Sequence, residues 1–178
     1  MPERKHQHLT KFLAASVTCF FIGSIHGVLQ MLPPVRAWLD SIGSPYGGPG
    51  HMIDPLAHAH INLIGGVMMM AMAVTYYLLP KFTGTDIWSR KLENTSFWMT
   101  ILGVSFFYGS LMIFGYWEGT LLLEGGAESV NEVHKIYIPI GALSATVMGI
   151  GLWLFLANSA MTIFKARKKR VPRNSKTR

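Results

Sequence analysis

Apolar residues gather along the chain into four long runs, at residues 12–32, 56–79, 97–117 and 136–164. A hydrocarbon core of about 30 Å is crossed by about 20 helical residues, so each run is long enough to span it. The pattern predicts an all-α protein, a four-helix transmembrane bundle over residues 12–164. A short N-terminal tail, 1–11, precedes it, and a basic tail, 165–178, follows it. The first run is longer than a signal-peptide core and has no small-residue cleavage site after it, so we expect a retained helix.

The polar stretches between the runs are of three kinds. "LPPVRAWLDSIGSPYGGPGHMID" is rich in Pro and Gly, which argues against a helix of any length there, although "VRAWLDSI" suits one or two amphipathic turns at the membrane surface. "PKFTGTDIWSRKLENT" is a short polar loop in which Trp88 suits the headgroup region. "EGTLLLEGGAESVNEVHK" reads as an acidic loop.

Composition agrees with a membrane protein and excludes an ordinary soluble domain. Half of the 178 residues are hydrophobic and only 14% are charged. Lys and Arg then orient the bundle. Arg4, Lys5 and Lys11, the loop residues Lys81, Arg90 and Lys91, and the eight basic residues of the tail place 14 of the 16 on one side. Arg36 and Lys135 fall on the other, with Glu118, Glu124, Glu128 and Glu132. Positive charge stays inside, so both termini are expected in the cytoplasm, in a bacterial inner membrane. The tail "KARKKRVPRNSKTR" directly follows a span, so we read it as an anchor on anionic lipid and expect no nucleic-acid partner.

The single cysteine, Cys19, sits within the first run; there is no disulfide framework and no C-x-x-C-H for covalent haem. We expect Cys19 and the eleven methionines to serve packing. Gly23 with Gly27, and Ala145 with Gly149, are small-residue pairs at i, i+4 spacing and predict close helix approach within the chain.

The seven histidines carry the candidate chemistry. His6 and His8 lie in the N-terminal tail and His51 in the first outer loop, where solvated roles are expected. His26, His58, His60 and His134 all fall at the outer ends of their spans, at one depth. Ionisable residues inside a membrane are functional candidates, although an imidazole near a helix end also serves as a hydrogen-bonded interface residue. Residues two apart on a helix point about 200° apart. His58 and His60 therefore face opposite ways and cannot hold one iron between them. The H-x-H spacing suits one helix serving two sites. Haem iron accepts neutral imidazole as axial ligand, with two imidazoles for electron transfer or one for gas binding. The spacing itself does not choose between haem and another partner.

"AHAHINLIGGVMMMAMAVTYYLLPKFTG" resembles the tenth helix of the catalytic subunit of cbb-type cytochrome oxidases and bacterial nitric oxide reductases, members of the haem-copper oxidase superfamily. There an H-x-H pair opens a Gly-rich helix that ends in Tyr-Tyr-Leu-x-Pro and a basic residue. "SRKLENTSFWMTILGVSFFYGSLMIFGYWEG" is similar to the following linker and helix, "ESVNEVHKIYIPIGALSATVMGIGLWLFLANSAMTIF" to the last helix, and the first span with "HGVLQMLPP" to the ninth. The resemblance covers residues 12–164 as the last third of a much longer subunit. It implies that His58 matches the proximal ligand of the high-spin haem and His60 one axial ligand of the low-spin haem. The helices that carry the other low-spin ligand and the non-haem metal ligands have no counterpart here, and Ser96 stands where the oxidases often have His.

The resemblance implies a haem b-binding subunit that transfers electrons within a larger respiratory-type complex. On its own the chain lacks the metal-centre ligands of an oxygen or nitric oxide reductase. Within the chain the expected partner of His60 is His26, across a haem that Gly23, Gly27, Gly65 and Gly66 make room for; His134, a symmetry mate or another subunit are the alternatives. Expected partners are the bilayer, other membrane subunits, and a cytochrome c or quinone. Two other readings stay open: an accessory or assembly subunit without haem, and a haem-based gas or redox sensor with an open position at His58.

Overall fold

The computed structural model describes residues 4–170. A 3-10 stretch, Arg4–Leu9, leads into α1, Thr10–Leu29. Then come α2, Pro33–Ser41, and three long helices: α3, Gly48–Thr83, α4, Arg90–Leu123, and α5, Ala127–Arg170. Among the described residues there is no strand. Four helices are long and apolar enough to cross a membrane, so the chain is an all-α, multi-pass membrane protein.

α3, α4 and α5 exceed the apolar runs that predicted them, whereas α1 ends at Leu29, three residues before its run does. At 1.5 Å per residue, the 44 residues of α5 extend about 66 Å, twice the hydrocarbon core. The surplus at the end away from the termini absorbs most of the acidic segment: α4 runs to Leu123, α5 starts at Ala127, and Gly125, at φ 82°, makes the tight reversal between them. At the end with the termini α5 continues to Arg170, so the first basic residues of the tail are helical; the remainder of the tail, 171–178, and the side chain of His6 lie outside the described residues. The segment between the first two spans also holds more helix than expected. Pro33 and Pro34 occupy the first turn of α2, where a missing N–H costs nothing. The nine residues of α2 match the amphipathic turns predicted for "VRAWLDSI".

Each end of the bundle has its own core. Toward the end that holds both termini Phe12 packs edge-on against Tyr76 and Phe97, with ring centres 5.9 and 4.8 Å apart, and Tyr76 against Phe155 at 5.4 Å. Met69 and Met72 are fully buried in this cluster, whereas Met70 faces outward. Buried polar groups stitch the same end. Tyr76 shares its hydroxyl with Ser96 and Asn158, both at 3.4 Å, and Asn158 exchanges two 3.0 Å bonds with the backbone of Ser89. His8 is not a freely solvated residue: its Nε2 lies 3.1 Å from the buried carboxylate of Glu93, which also accepts from Arg90 at 2.8 Å.

The core at the opposite end joins Met52 and Ala57 of α3 to Leu111 and Phe114 of α4 and Val133 of α5. Between α4 and α5 the close approach falls at Gly103 and Gly151, not at Gly149. A Cβ on Gly103 would lie 2.5 Å from the Met148 amide nitrogen, and one on Gly151 would lie 2.6 Å from the Thr100 amide nitrogen. A Cβ on Gly149 would meet nothing within 4 Å. The i, i+4 pair Ala145 and Gly149 therefore does not mark the contact, because the Gly149 face turns away from α4.

Candidate functional site: the outer histidine cluster

The backbone that presents His58 and His60 is irregular. Asp54, at φ −130° and ψ 113°, interrupts the helix before Pro55, as the clash of a proline ring with the preceding residue favours. On either side of His58–His60 the turns widen to π-helix, at Met52–Ala57 and Ile61–Met68. Wide turns of this kind occur often at functional positions.

An ionic cap closes the end of the bundle next to them. Arg36 of α2 contacts Asp54 and Asp40, each at 2.6 Å, and donates to Ser44 Oγ at 2.8 Å; Gln30 donates to Asp54 at 3.1 Å. Bonds from the carboxylates of Asp40 and then Asp54 push the Arg36 guanidinium above its ordinary pKa. Sequence reasoning used Arg36 only as a topology marker. The pairing was hidden because Asp54 is 18 residues away, beyond any local spacing rule.

The two histidines of the H-x-H pair point to different neighbours, as their spacing predicts. His60 turns to α4, where its ring meets Phe107 edge-on at 4.8 Å. Its Nδ1–H donates to the Leu56 carbonyl at 2.8 Å. That bond fixes the tautomer and leaves Nε2 with the lone pair, the arrangement by which proteins orient a metal-ligating imidazole.

His58 turns to α1 and meets His26, with ring centres 5.4 Å apart and planes at 77°. His26 Nδ1 lies 3.3 Å from the Tyr108 hydroxyl of α4. Asn62, four residues after His58, donates to the His58 carbonyl at 2.9 Å and sets the same amide nitrogen 3.4 Å from His58 Nε2. Asn62 was missed in the sequence; its signal is an amide side chain one helical turn from a histidine inside an apolar run.

The expected haem between α1 and α3 does not fit this arrangement. The glycines that were to make room are filled by protein. A Cβ on Gly23 would lie 2.3 Å from Asn62 Oδ1, one on Gly27 2.8 Å from His58 Cε1, one on Gly65 2.6 Å from Cys19 Sγ, and one on Gly66 2.6 Å from Phe20. Cys19 is therefore a packing residue. The structure pairs His26 with His58 rather than with His60, because His60 occupies the opposite face of α3.

His134 sits apart, with Nδ1 3.1 Å from both carboxylate oxygens of Glu118. Glu118 is buried while the imidazole is half exposed. His51 Nδ1 contacts the Pro45 carbonyl at 2.6 Å. Among the described residues no three His, Cys, Asp or Glu side chains converge as a metal site. Of the four spanning-helix histidines, His60 is the one whose Nδ1–H is held by a backbone carbonyl, so its Nε2 would be the atom to offer to a haem iron.

Comparison with known proteins agrees with this framework. The sequence profile of the family described as cytochrome c and quinol oxidase polypeptide I matches residues 4–138. The cbb3-type cytochrome c oxidase subunit CcoN1 of Stutzerimonas stutzeri is 24% identical over 170 residues, covering 89% of this chain and 33% of that protein. Cytochrome bo(3) ubiquinol oxidase subunit 1 of Buchnera aphidicola subsp. Schizaphis graminum is 26% identical over 153 residues, covering 84% of this chain and 21% of that protein. Cytochrome c oxidase subunit 1 of Corynebacterium glutamicum is 30% identical over 144 residues, covering 78% and 22%. The chain spans a third or less of the length of these relatives. With a match over most of its length, the chain belongs to the cytochrome c and quinol oxidase polypeptide I family.

Proposed function

We propose that the chain is a haem b-binding subunit that carries electrons within a larger membrane complex, with both termini in the cytoplasm of a bacterial cell and with His60 as the axial ligand it contributes. The observation that carries this reading is the bond from His60 Nδ1–H to the Leu56 carbonyl, which holds the imidazole as a ligand with Nε2 free. When bound, the haem supplies one-electron redox chemistry. The chain's part is to orient the His60 imidazole, to flank it with the Phe107 ring, and to keep it among apolar helices.

The second axial ligand comes from beyond these four helices, with a symmetry mate or a further subunit as candidate sources: His26 is engaged with His58 and Tyr108, and His134 is held by Glu118. A cytochrome c or a quinol is the class of electron donor that the names of the chain's relatives suggest.

The test is an optical spectrum of the native complex together with its haem-to-protein ratio. Sharp reduced b-type bands without a carbon monoxide response are expected. A shift with carbon monoxide would indicate an open iron and a sensing role. A complex without a Soret band would indicate an accessory subunit. His26→Ala is expected to leave the spectrum unchanged; a five-coordinate spectrum in that variant would return His26 to the iron.

A further inference from the structure

Toward the end that holds both termini, α1 and α3 no longer fill the space between them. Deeper in the bundle Gly65 and Gly66 of α3 admit Cys19 and Phe20 of α1, so the two helices touch. Further along, a groove of about 290 Å³ opens, lined by Leu9, Thr10 and Leu13 on one side and by Ala73, Val74 and Tyr77 on the other. Leu9 and Ala73 are buried and form its floor, whereas Leu13, Val74 and Tyr77 are exposed along its sides. Both walls belong to spanning helices, so the groove faces hydrocarbon, and a lipid chain is the apolar matter that reaches it. Pockets that enclose a whole small molecule run from about 300 to 1,000 Å³, so this one suits a single chain.

What distinguishes the mouth of the groove is a fixed positive charge. Lys81 stands one helical turn after Tyr77. A lysine at the end of a span ordinarily stretches toward water. Here its Nζ lies 3.8 Å from the Tyr77 ring centre and donates to the Tyr77 hydroxyl, which holds the ammonium beside the groove. Among the described residues no carboxylate pairs with it. Glu93, the buried acid at this end, is taken by His8 and Arg90. Lys11 is drawn to α4, where it donates to Asn94 and lies 4.7 Å from the Phe97 ring centre. A cation without a carboxylate, at the polar end of an apolar groove, matches a phosphate joined to an acyl chain.

We infer that this groove binds one anionic phospholipid, with an acyl chain between α1 and α3 and the phosphate on Lys81. A quinone has no charge to match the ammonium, and a zwitterionic lipid carries its own cation beside its phosphate. The site is separate from the general attraction of the basic tail to anionic lipid, since Lys81 lies outside that tail. It does not depend on haem at His60.

The test is native mass spectrometry of the purified complex, stripped of lipid in detergent and then loaded with phosphatidylglycerol or phosphatidylcholine. Phosphatidylglycerol is expected to be retained in preference. Lys81→Gln keeps a long side chain without the charge and should lower that occupancy about fivefold, the weight of one lysine beside an anionic lipid surface. Leu13→Trp, at an exposed position, fills the groove and should lower retention of both lipids. Lys91→Gln removes a charge at the same end but outside the groove lining and should change nothing. Equal retention of the two lipids by the wild type would overturn the inference, and that comparison needs no variant. Equal losses in Lys81→Gln and Lys91→Gln would also overturn it, in favour of a diffuse basic surface. Displacement of phosphatidylglycerol by a short-chain quinone would reassign the groove. Haem content should be the same in every sample, so this outcome and that of the His60 assignment are separately visible.

Discussion

His134 and Glu118 show how one contact sets the consequence of a substitution. The Glu118 carboxylate is buried, and among the described residues the His134 imidazole is its partner. Removing one side of a fully buried pair costs about 3–5 kcal/mol, but the half-exposed imidazole is partly screened by solvent, so His134→Ala should cost nearer 1 kcal/mol. Thermal unfolding in detergent should show that loss, the double variant with Glu118→Gln should recover part of it, and the haem spectrum should not change. At the same scale, Gly27→Ala places a Cβ 2.8 Å from His58 Cε1. Overpacking of this kind costs about 1–3 kcal/mol, and it should lower the midpoint of unfolding without affecting haem content. The H-x-H spacing made the opposed faces of His58 and His60 legible. It carried no information about which helix would meet each face, and that is why His26 was expected opposite His60 and is found against His58.

At the scale of elements, the hydrophobic runs identified every span but understated the lengths of α3, α4 and α5. Helical turns beyond the hydrocarbon, such as those at Glu118–Leu123 and Ala127–Lys135, are polar or mixed and leave no apolar signature. Proline misled in the opposite direction. Pro33 and Pro34 read as breakers, yet at the first turn of α2 they start a helix. The widened turns around His58 have no sequence pattern that separates them from ordinary helix. Helix contact points were also only partly legible, since a small residue reports that an approach is possible and not that one occurs. Gly103 and Gly149 provide the comparison. Gly103→Ala drives a Cβ against the Met148 backbone, which cannot rotate away, so α4 and α5 must separate. A loss of about 1–3 kcal/mol or more is expected. Gly149→Ala meets nothing within 4 Å and should be neutral or stabilising by up to about 1 kcal/mol from helix propensity. Equal unfolding midpoints for the two variants would contradict the described helix interface.

On the scale of the whole molecule, four spans have most of their basic residues at the end that holds both termini, and His26, His58, His60 and His134 lie toward the other end. Reporter fusions at residue 178 are expected to report the cytoplasm; an external signal would invert the bundle and move the histidines to the inner face. Family membership was legible because the H-x-H helix and its flanks are collinear with longer relatives over most of the chain. The second axial ligand of the proposed site was not legible, because no other histidine in this sequence carries a spacing that ties it to His60. The proposed haem site depends on His60, the imidazole whose Nδ1–H is held by Leu56. The most direct measurement is the reduced-minus-oxidised spectrum and haem-to-protein ratio of the purified complex carrying His60→Ala beside the wild type. The low-spin b-type signal of this subunit is expected to disappear while the protein remains folded and inserted. A variant that keeps a normal low-spin spectrum would contradict it.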